Sequence, residues 1–504
     1  MSKRYLYLAA AIMVLASIAS GPQAPAQAKG KPQVVLRELP RGEVHPGVRA
    51  STIVISPDSR RYAYVADSGP KQVVVIDGVA GPEYDLVWPP VRFSPDSKRV
   101  AYAAMQGDSY LVWVDGKESP RYDNVGGSRI AFSADSKRIA YRAERAGADF
   151  VVVEGMEGAP YDRIANEVAA FSPDGSRVAY VAVKGDKRYV VIDEKPGEPV
   201  DFAELPAFSP DGKRHAYAAS AGGKEFVLVD GKRGKAYDEV DSPTFSPDGR
   251  KVAYAARTGD KWKIVVDGVE GPAYDDALLP TFSPDSRRIA YAAGLGDKWF
   301  MVIDGKKGKE YDGLATGFAF SPDGKRFAYG ATLGGKWRMS IDGSEGPEFD
   351  GVANMRFSPD SKRFAYSGRR GDRYIVILDG KEQGSYEQLG GDSFTFSRDG
   401  KRFAFMAMRG GAQFMVIDGV EGKSYDGIPG SAGSASWAFS PDGKHFAYKA
   451  KARGTEFAVV DGIETPPFDV FLRGTSLIFD DADTLHFLAV RGAAIALVEV
   501  DIVE

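Results

Sequence analysis

The chain of 504 residues contains no cysteine. That absence excludes disulfide staples, thiolate nucleophiles and cysteine-bound zinc, and with them lipid attachment through a thiol. Histidine is scarce, with only His45, His215, His445 and His486, and no pair of them has metal-ligand spacing. No G-x-S-x-G nucleophile elbow occurs, and no calcium loop of the D-x-[D/N]-x-[D/N]-G form. There is no basic excess: 65 Lys and Arg stand against 69 Asp and Glu, which argues against a nucleic-acid partner. Helical periodicity is missing throughout.

One apolar run stands apart, at the start. Lys3 and Arg4 precede an uncharged stretch from Leu6 to Ala19, and Ala26-Gln27-Ala28 forms a small-x-small cleavage site. The run is short for a membrane span, so residues 1–28 read as a secretory signal cut after Ala28. Removing them takes two basic residues and leaves a net charge of −6. The mature protein is expected in the periplasm or outside the cell, without a membrane span.

What the sequence does hold is a repeat. The phrase F-S-P-D-[G/S]-[K/R]-R-x-A-[Y/F] recurs with its serine at Ser56, Ser94, Ser133, Ser172, Ser209, Ser246, Ser283, Ser321, Ser358, Ser397 and Ser440, and a worn further copy begins at Phe479. The spacing averages about 38 residues, the range of stacked or radial repeats. In the sixth copy, Ser246-Pro247-Asp248-Gly249 has the order of a type I turn. Lys251 to Ala256 follows, with Val252, Tyr254 and Ala256 on one face and Ala253 and Ala255 on the other. Gly259-Asp260 marks a second turn, Trp262 to Val266 a third strand, and Asp267 to Pro272 a third turn. Ala273-Tyr274-Asp275 closes the unit.

Four short strands per unit define an all-β fold of antiparallel sheets. A ring of such sheets buries both faces of each and protects its edges, which makes the chain a β-propeller of about twelve four-stranded repeats. The expected arrangement is two six-bladed propellers, residues 51–275 and 276–504, because single rings typically hold four to eight blades. Seven plus five and one oversized ring are the alternatives. The last unit lacks a fourth strand, and Gln33 to Glu38, within the segment 29–50, is a strand without a unit. It is expected to complete the final blade and close a ring.

This repeat resembles the WD40-like (PD40) repeat of the TolB family, and related repeats occur in the propellers of prolyl-oligopeptidase-type enzymes. The resemblance covers residues 51 to about 490 and implies the propeller fold. It also implies, for TolB, a preceding α/β domain and a binding role in envelope assembly, and for the peptidases an appended hydrolase domain. Residues 29–50 are too few for the first, and nothing here matches the second. The chain has a theme of its own, [V/I]-D-G-x-x-G-x-x-[Y/F]-D, at Asp267 to Asp275 and Asp304 to Asp312.

Three acidic positions recur: the turn Asp (Asp211, Asp248, Asp285), the Asp before Gly (Asp230, Asp267, Asp304) and the Asp after Tyr (Asp238, Asp275, Asp312). Their presence in every copy reads as turn capping, not as calcium binding or acid–base catalysis. The Lys and Arg after each S-P-D turn read as a solvated rim. His215 and His486 fall in the slot held elsewhere by Val, Ile, Phe or Tyr and are expected to pack. His445 replaces the recurrent Arg and is expected at the surface. Trp113, Trp262, Trp299 and Trp337 belong to third strands and read as blade packing.

The segments that vary are those leading into each first strand, on the face of the second-to-third strand loops around the channel mouth. They carry Trp88, Asn166, Glu167, Asn354, Trp437, Phe471 and Arg473, and a Gly/Ser-rich tip at Gly430 to Ser434. Aromatic and Arg residues on exposed loops are enriched at binding hot spots. The expected function is a non-catalytic propeller that binds a protein or cell-envelope polymer there, with no catalytic residue, metal or cofactor. The alternative is a carbohydrate-active hydrolase or lyase with carboxylates at a channel mouth.

Overall fold

The computed structural model describes residues 33–503, apart from 127–128, 166–168, 392 and 430–434. The expected signal segment, Asn166, Glu167 and the Gly430–Ser434 tip lie outside the described residues. The rest is twelve antiparallel sheets with no α-helix.

The sixth blade shows why these residues make this unit. Ser246 Oγ donates to Asp248 Oδ1 at 2.6 Å and accepts from the Lys251 amide at 2.9 Å, so the S-P-D-G turn is tied from inside. Gly259-Asp260 joins Val252–Thr258 to Lys261–Val266 as a two-residue hairpin. Asp267-Gly268 is another, with φ of 49° and 79°, the type I′ geometry that Asp-Gly favours. The fourth strand begins earlier than the sequence suggests. It starts at Val269–Glu270 and runs on to a Tyr274–Trp262 bridge, so Gly271 to Ala273 is a bulge and not a turn.

Each blade turns its large face to the blade before and its alanine face to the blade after. Val252, Tyr254 and Ala256 pack on the fifth blade, and Ala255 packs on the seventh. The aromatic residue that ends each blade meets the second-strand aromatic of the next edge-on. Ten such pairs have centroids 5.5–6.4 Å apart and planes 62–85° apart. Each pair contributes about 0.5–1.5 kcal/mol beyond its buried area.

These interfaces follow one cyclic order. Twelve apolar clusters join first blade to second, and so on to the twelfth, and the last joins Leu472, Leu488, Ile495 and Leu497 of the twelfth blade to Tyr62, Tyr64 and Ala66 of the first. The sixth and seventh blades, where the division at residue 275 was expected, share Ala255, Tyr274, Tyr291 and Phe300 like any other neighbours. The packing is that of a single twelve-bladed ring, and the two-ring expectation is corrected on this point.

Closure is by the N-terminal strand, as expected. Gln33–Glu43 runs antiparallel to Ala494–Val503 as the outer strand of the twelfth blade. Tyr62 Oη donates to the Arg41 carbonyl at 2.7 Å. Gly42 lies so close that an added Cβ would stand 2.7 Å from Gly78 Cα, so only glycine fits.

The basic pair after each turn is only half a solvated rim. Lys362 is 82% exposed, but Arg363 beside it bonds Asp379 of its own blade at 2.9 Å and the Lys401 carbonyl of the next at 2.6 Å. Its guanidinium also covers the next blade's Phe396. Nine arginines make this inter-blade reach among the described residues.

Two predictions follow from these ties. Arg363→Ala is expected to cost about 1–2 kcal/mol and Lys362→Ala no more than about 0.5 kcal/mol, read from urea unfolding midpoints. Deleting residues 33–43 strips the twelfth blade's edge. It should lower Tm and cause concentration-dependent association in size-exclusion chromatography. A monomer of unchanged Tm would refute the closing role.

Candidate functional site

The recurrent polar residues are consumed by the fold. Asp248 caps its turn through Ser246 and the Arg250 amide, and Asp267 Oδ1 accepts from the Val252 amide at 2.9 Å. Asp275 accepts from the Gly296 amide of the next blade at 2.7 Å and pairs with Lys261. The second glycine of the D-G-x-x-G theme makes room for a neighbour. A Cβ on Gly346 would stand 2.7 Å from the next blade's Tyr366 hydroxyl.

The variable segments lie along the innermost strands, which form the wall of the central channel, and not only at its mouth. In six blades the inner strand is broken into two pieces. In four others it runs through a bulge: between Trp88 and Arg92, Leu278 and Thr281, Leu314 and Phe318, and Ala353 and Arg356. The unit therefore tolerates change at this wall, because the inner edge has no further strand to match.

The expected binding residues divide. Arg473 is exposed and forms no hydrogen bond or ion pair among the described residues. Asn354 is half-buried, in the left-handed region at φ 54°, and its amide donates to Ser367 Oγ at 3.2 Å. Trp88 is half-buried over Tyr110, at 5.1 Å between centroids. Trp437 is half-buried, and its indole N–H donates to Thr395 Oγ1 of the tenth blade at 2.9 Å. Phe471 is a correction: at 5% exposure it belongs to the core between the last two blades, stacked edge-on with Phe487. The packed tryptophans behave as expected, with Trp113 stacked on Tyr102.

Three wall residues were missed. Leu279 matches Asn354 in the bulge of the seventh blade, also left-handed at φ 59°, and is 50% exposed. A leucine held there is strained, and such strain collects at functional sites. Arg356 is exposed at a position that is Ala or Thr in most blades, a departure the repeat alignment could have flagged. On the sixth blade, partial burial, then the charges of Glu239, Asp276, Glu204 and Glu225, push the Asp241 carboxyl above its ordinary range. One arc of the wall is thus carboxylate-rich, while Arg356 and Arg473 stand on other blades.

The histidines are structural. His445 is buried, not exposed. It takes the arginine's place, with Nδ1 2.5 Å from Asp461 and Nε2 facing Asp483 of the last blade at 3.4 Å. His486 is buried as expected but in a different slot. The last S-P-D-type turn is one residue shorter, so Leu485 pairs with Phe479 and His486 falls on the alanine face. There it bonds Asp480 at 2.8 Å and the Asp58 carbonyl of the first blade at 2.7 Å, joining the ring's ends. Both ring nitrogens thus meet an oxygen acceptor. His215 stacks on Tyr217, and burial, then Arg177, holds its pKa below the ordinary value. His45 accepts the Gly47 amide within its loop.

Fold and wall together define the class: a β-propeller of twelve blades. No family model and no curated protein matches the chain. Among solved structures it is similar to a eukaryotic initiation factor (TM-score 0.35, 14% identity, covering 65% of this chain and 96% of that one). It is also similar to TolB from Acinetobacter baumannii (0.23, 16%, 53% and 79%) and to the tricorn protease (0.25, 12%, 90% and 55%). The TolB propeller is thus a distant structural neighbour, and at these scores no residue role is carried across.

The turn carboxylates make the ring acid-sensitive. Hydrogen bonds from Ser172 and Ser176 hold Asp174 down at about 2, and those from Ser397 and the Lys401 amide do the same for Asp399. A depressed folded-state pKa adds stability above the unfolded value that is lost as pH falls through the folded one. Tm is therefore expected to fall as pH drops from about 4 to about 2, and a flat Tm across that window would refute the capping role.

Proposed function

We propose that the protein is a non-catalytic binding module, secreted or periplasmic, that takes a protein or cell-envelope polymer along its channel wall and mouth. One observation carries this reading. The polar residues common to the repeats are tied up in turns and blade-to-blade bonds, whereas the innermost strands depart from the repeat and leave Leu279, Arg356 and Arg473 exposed. A rigid ring presents such groups with little ordering cost on contact. The N-terminal Lys3-Arg4 start and Leu6–Ala19 run support export.

The test is affinity capture from envelope extract and on insoluble peptidoglycan and polysaccharides, with wild type beside Arg356→Glu/Arg473→Glu. Both arginines are exposed, so the variant should keep its Tm. Wild type is expected to retain a defined partner that the variant loses by about tenfold or more, some 1.4 kcal/mol. Equal retention by both, or none by either, counts against the reading.

The raised pKa of Asp241 among other carboxylates favours one second reading, a carbohydrate-active hydrolase or lyase, since such enzymes set paired carboxylates apart in pKa. Reducing-end release from soluble polysaccharides, abolished in Asp241→Asn, would replace the first reading with this one.

A further inference from the structure

We propose a second binding site, on the outer wall between the seventh and eighth blades, that takes an extended acidic peptide. An open cleft of about 520 Å³ lies there. Its floor is apolar and aromatic, with Met301, Tyr311, Phe327 and Tyr329 all nearly buried. Its rim carries Lys306, Lys307, Lys309 and Lys325, with Arg288 at one end.

The same kind of cleft opens at two other interfaces, and comparison isolates what is special. Between the second and third blades the lining holds Arg99 and Lys117 against Asp115, Glu118 and Glu154. Between the fifth and sixth it holds Arg214, Lys232 and Arg233 against Asp230 and Asp267. Of these three, the cleft of the seventh and eighth blades has the largest cation excess in its lining, five against the two carboxylates Asp304 and Asp342, in a protein of negative net charge.

Two of those cations are available. Arg288 is held by Asp304, Lys307 by Glu310 and Lys309 by Glu345. Lys306 has no ion pair among the described residues, and Lys325, 81% exposed, meets Asp323 only at 3.8 Å. Lysines flanking an aromatic floor suit carboxylates carried on a chain with some apolar surface.

That the occupant is polypeptide follows from the ring closure. There the Asp-Gly turn of the first blade is covered by backbone, since a Cβ on Gly78 would lie 2.5 Å from the Arg41 carbonyl oxygen. The matching Gly343 of the eighth blade, at the lip of the cleft, faces open space, and Phe327 stands where Tyr62 meets Arg41. The protein's own chain thus demonstrates how a peptide backbone lies against this turn.

The test uses the full chain and a fluorescent decapeptide of alternating Asp and Phe, with an Asn/Phe control, by polarisation at low and high salt. The acidic peptide is expected to bind in a salt-dependent way and the control not. Lys306→Ala/Lys325→Ala should weaken binding by about tenfold, while Lys232→Ala/Arg250→Ala, at the equivalent positions of the fifth and sixth blades, should leave it unchanged. All four positions are exposed, so Tm serves as the check on folding. No binding, or equal loss from both double variants, overturns the site. Binding of polygalacturonate through Lys306 and Lys325 without binding of the peptide overturns its assignment to a peptide.

Discussion

A sheet with tyrosine on one face and alanine on the other cannot bury both faces alone, and it fits best against a copy of itself. The aromatic side chains of one blade lie over the alanines of the blade before, and the last aromatic of that blade closes on them edge-on. Close-packed interiors need large groups set against small ones, and here one face supplies each. The requirement is directional, so it forces every blade to have a neighbour on each side. A linear stack would leave one tyrosine face and one alanine face in water. Closing the circle removes both, and the N-terminal strand then removes the one open edge.

The polar groups follow the same logic. In nine blades an arginine crosses to the next blade's turn carbonyls, and in most blades the terminal aspartate caps the next blade's hairpin. Chemistry repeated in every copy is therefore spent on the copy's neighbour. What is free to differ is whatever no neighbour needs, and the inner strands meet that condition. Leu279 and Asn354 occupy equivalent bulges with left-handed backbone, one apolar and one polar. The scaffold permits variation there without loss of any clasp, which is why binding is proposed at the wall.

The fold was legible because hairpin turns and alternating strands are local. Asp-Gly and Gly-Asp pairs set the loops, and Tyr254 against Ala255 sets the faces. The closing strand was legible too, from a fourth strand missing at one end and a spare one at the other. The site was less so. Phe471 looked like a loop residue because its sequence neighbours are variable, yet its ring packs edge-on against Phe487 in the core between the last two blades. His445 looked exposed because it replaces an arginine assumed to be solvated, and that arginine is itself a clasp. Asp241 carries no mark in the repeat. Its raised pKa comes first from burial and then from Glu239 beside it and from carboxylates on the neighbouring blades, which no periodicity reveals.

Ring number escaped the sequence for a related reason. All regular interfaces use the same residues, so the sixth blade could pack equally well on the seventh or the first. Blade count depends on the wedge angle between neighbours, a property of side-chain volume at inner and outer strands that the repeat does not state. One clue was present. A closure is chemically unlike other interfaces, because the two blades that meet are joined by no preceding linker. The twelfth and first blades carry such marks on both sides: Tyr62 with its hydroxyl on the Arg41 carbonyl, in a slot held elsewhere by Val, Ile, Leu, Phe or His, His486 in an alanine slot, Arg60 bonded to Asp480, and Gly42 against Gly78. Two rings need two such seams. The sixth blade departs only in Lys251, which stands in the arginine's place and forms no ion pair among the described residues, while Tyr274 and Tyr291 there pair as at other interfaces. One idiosyncratic seam in the chain means one circle.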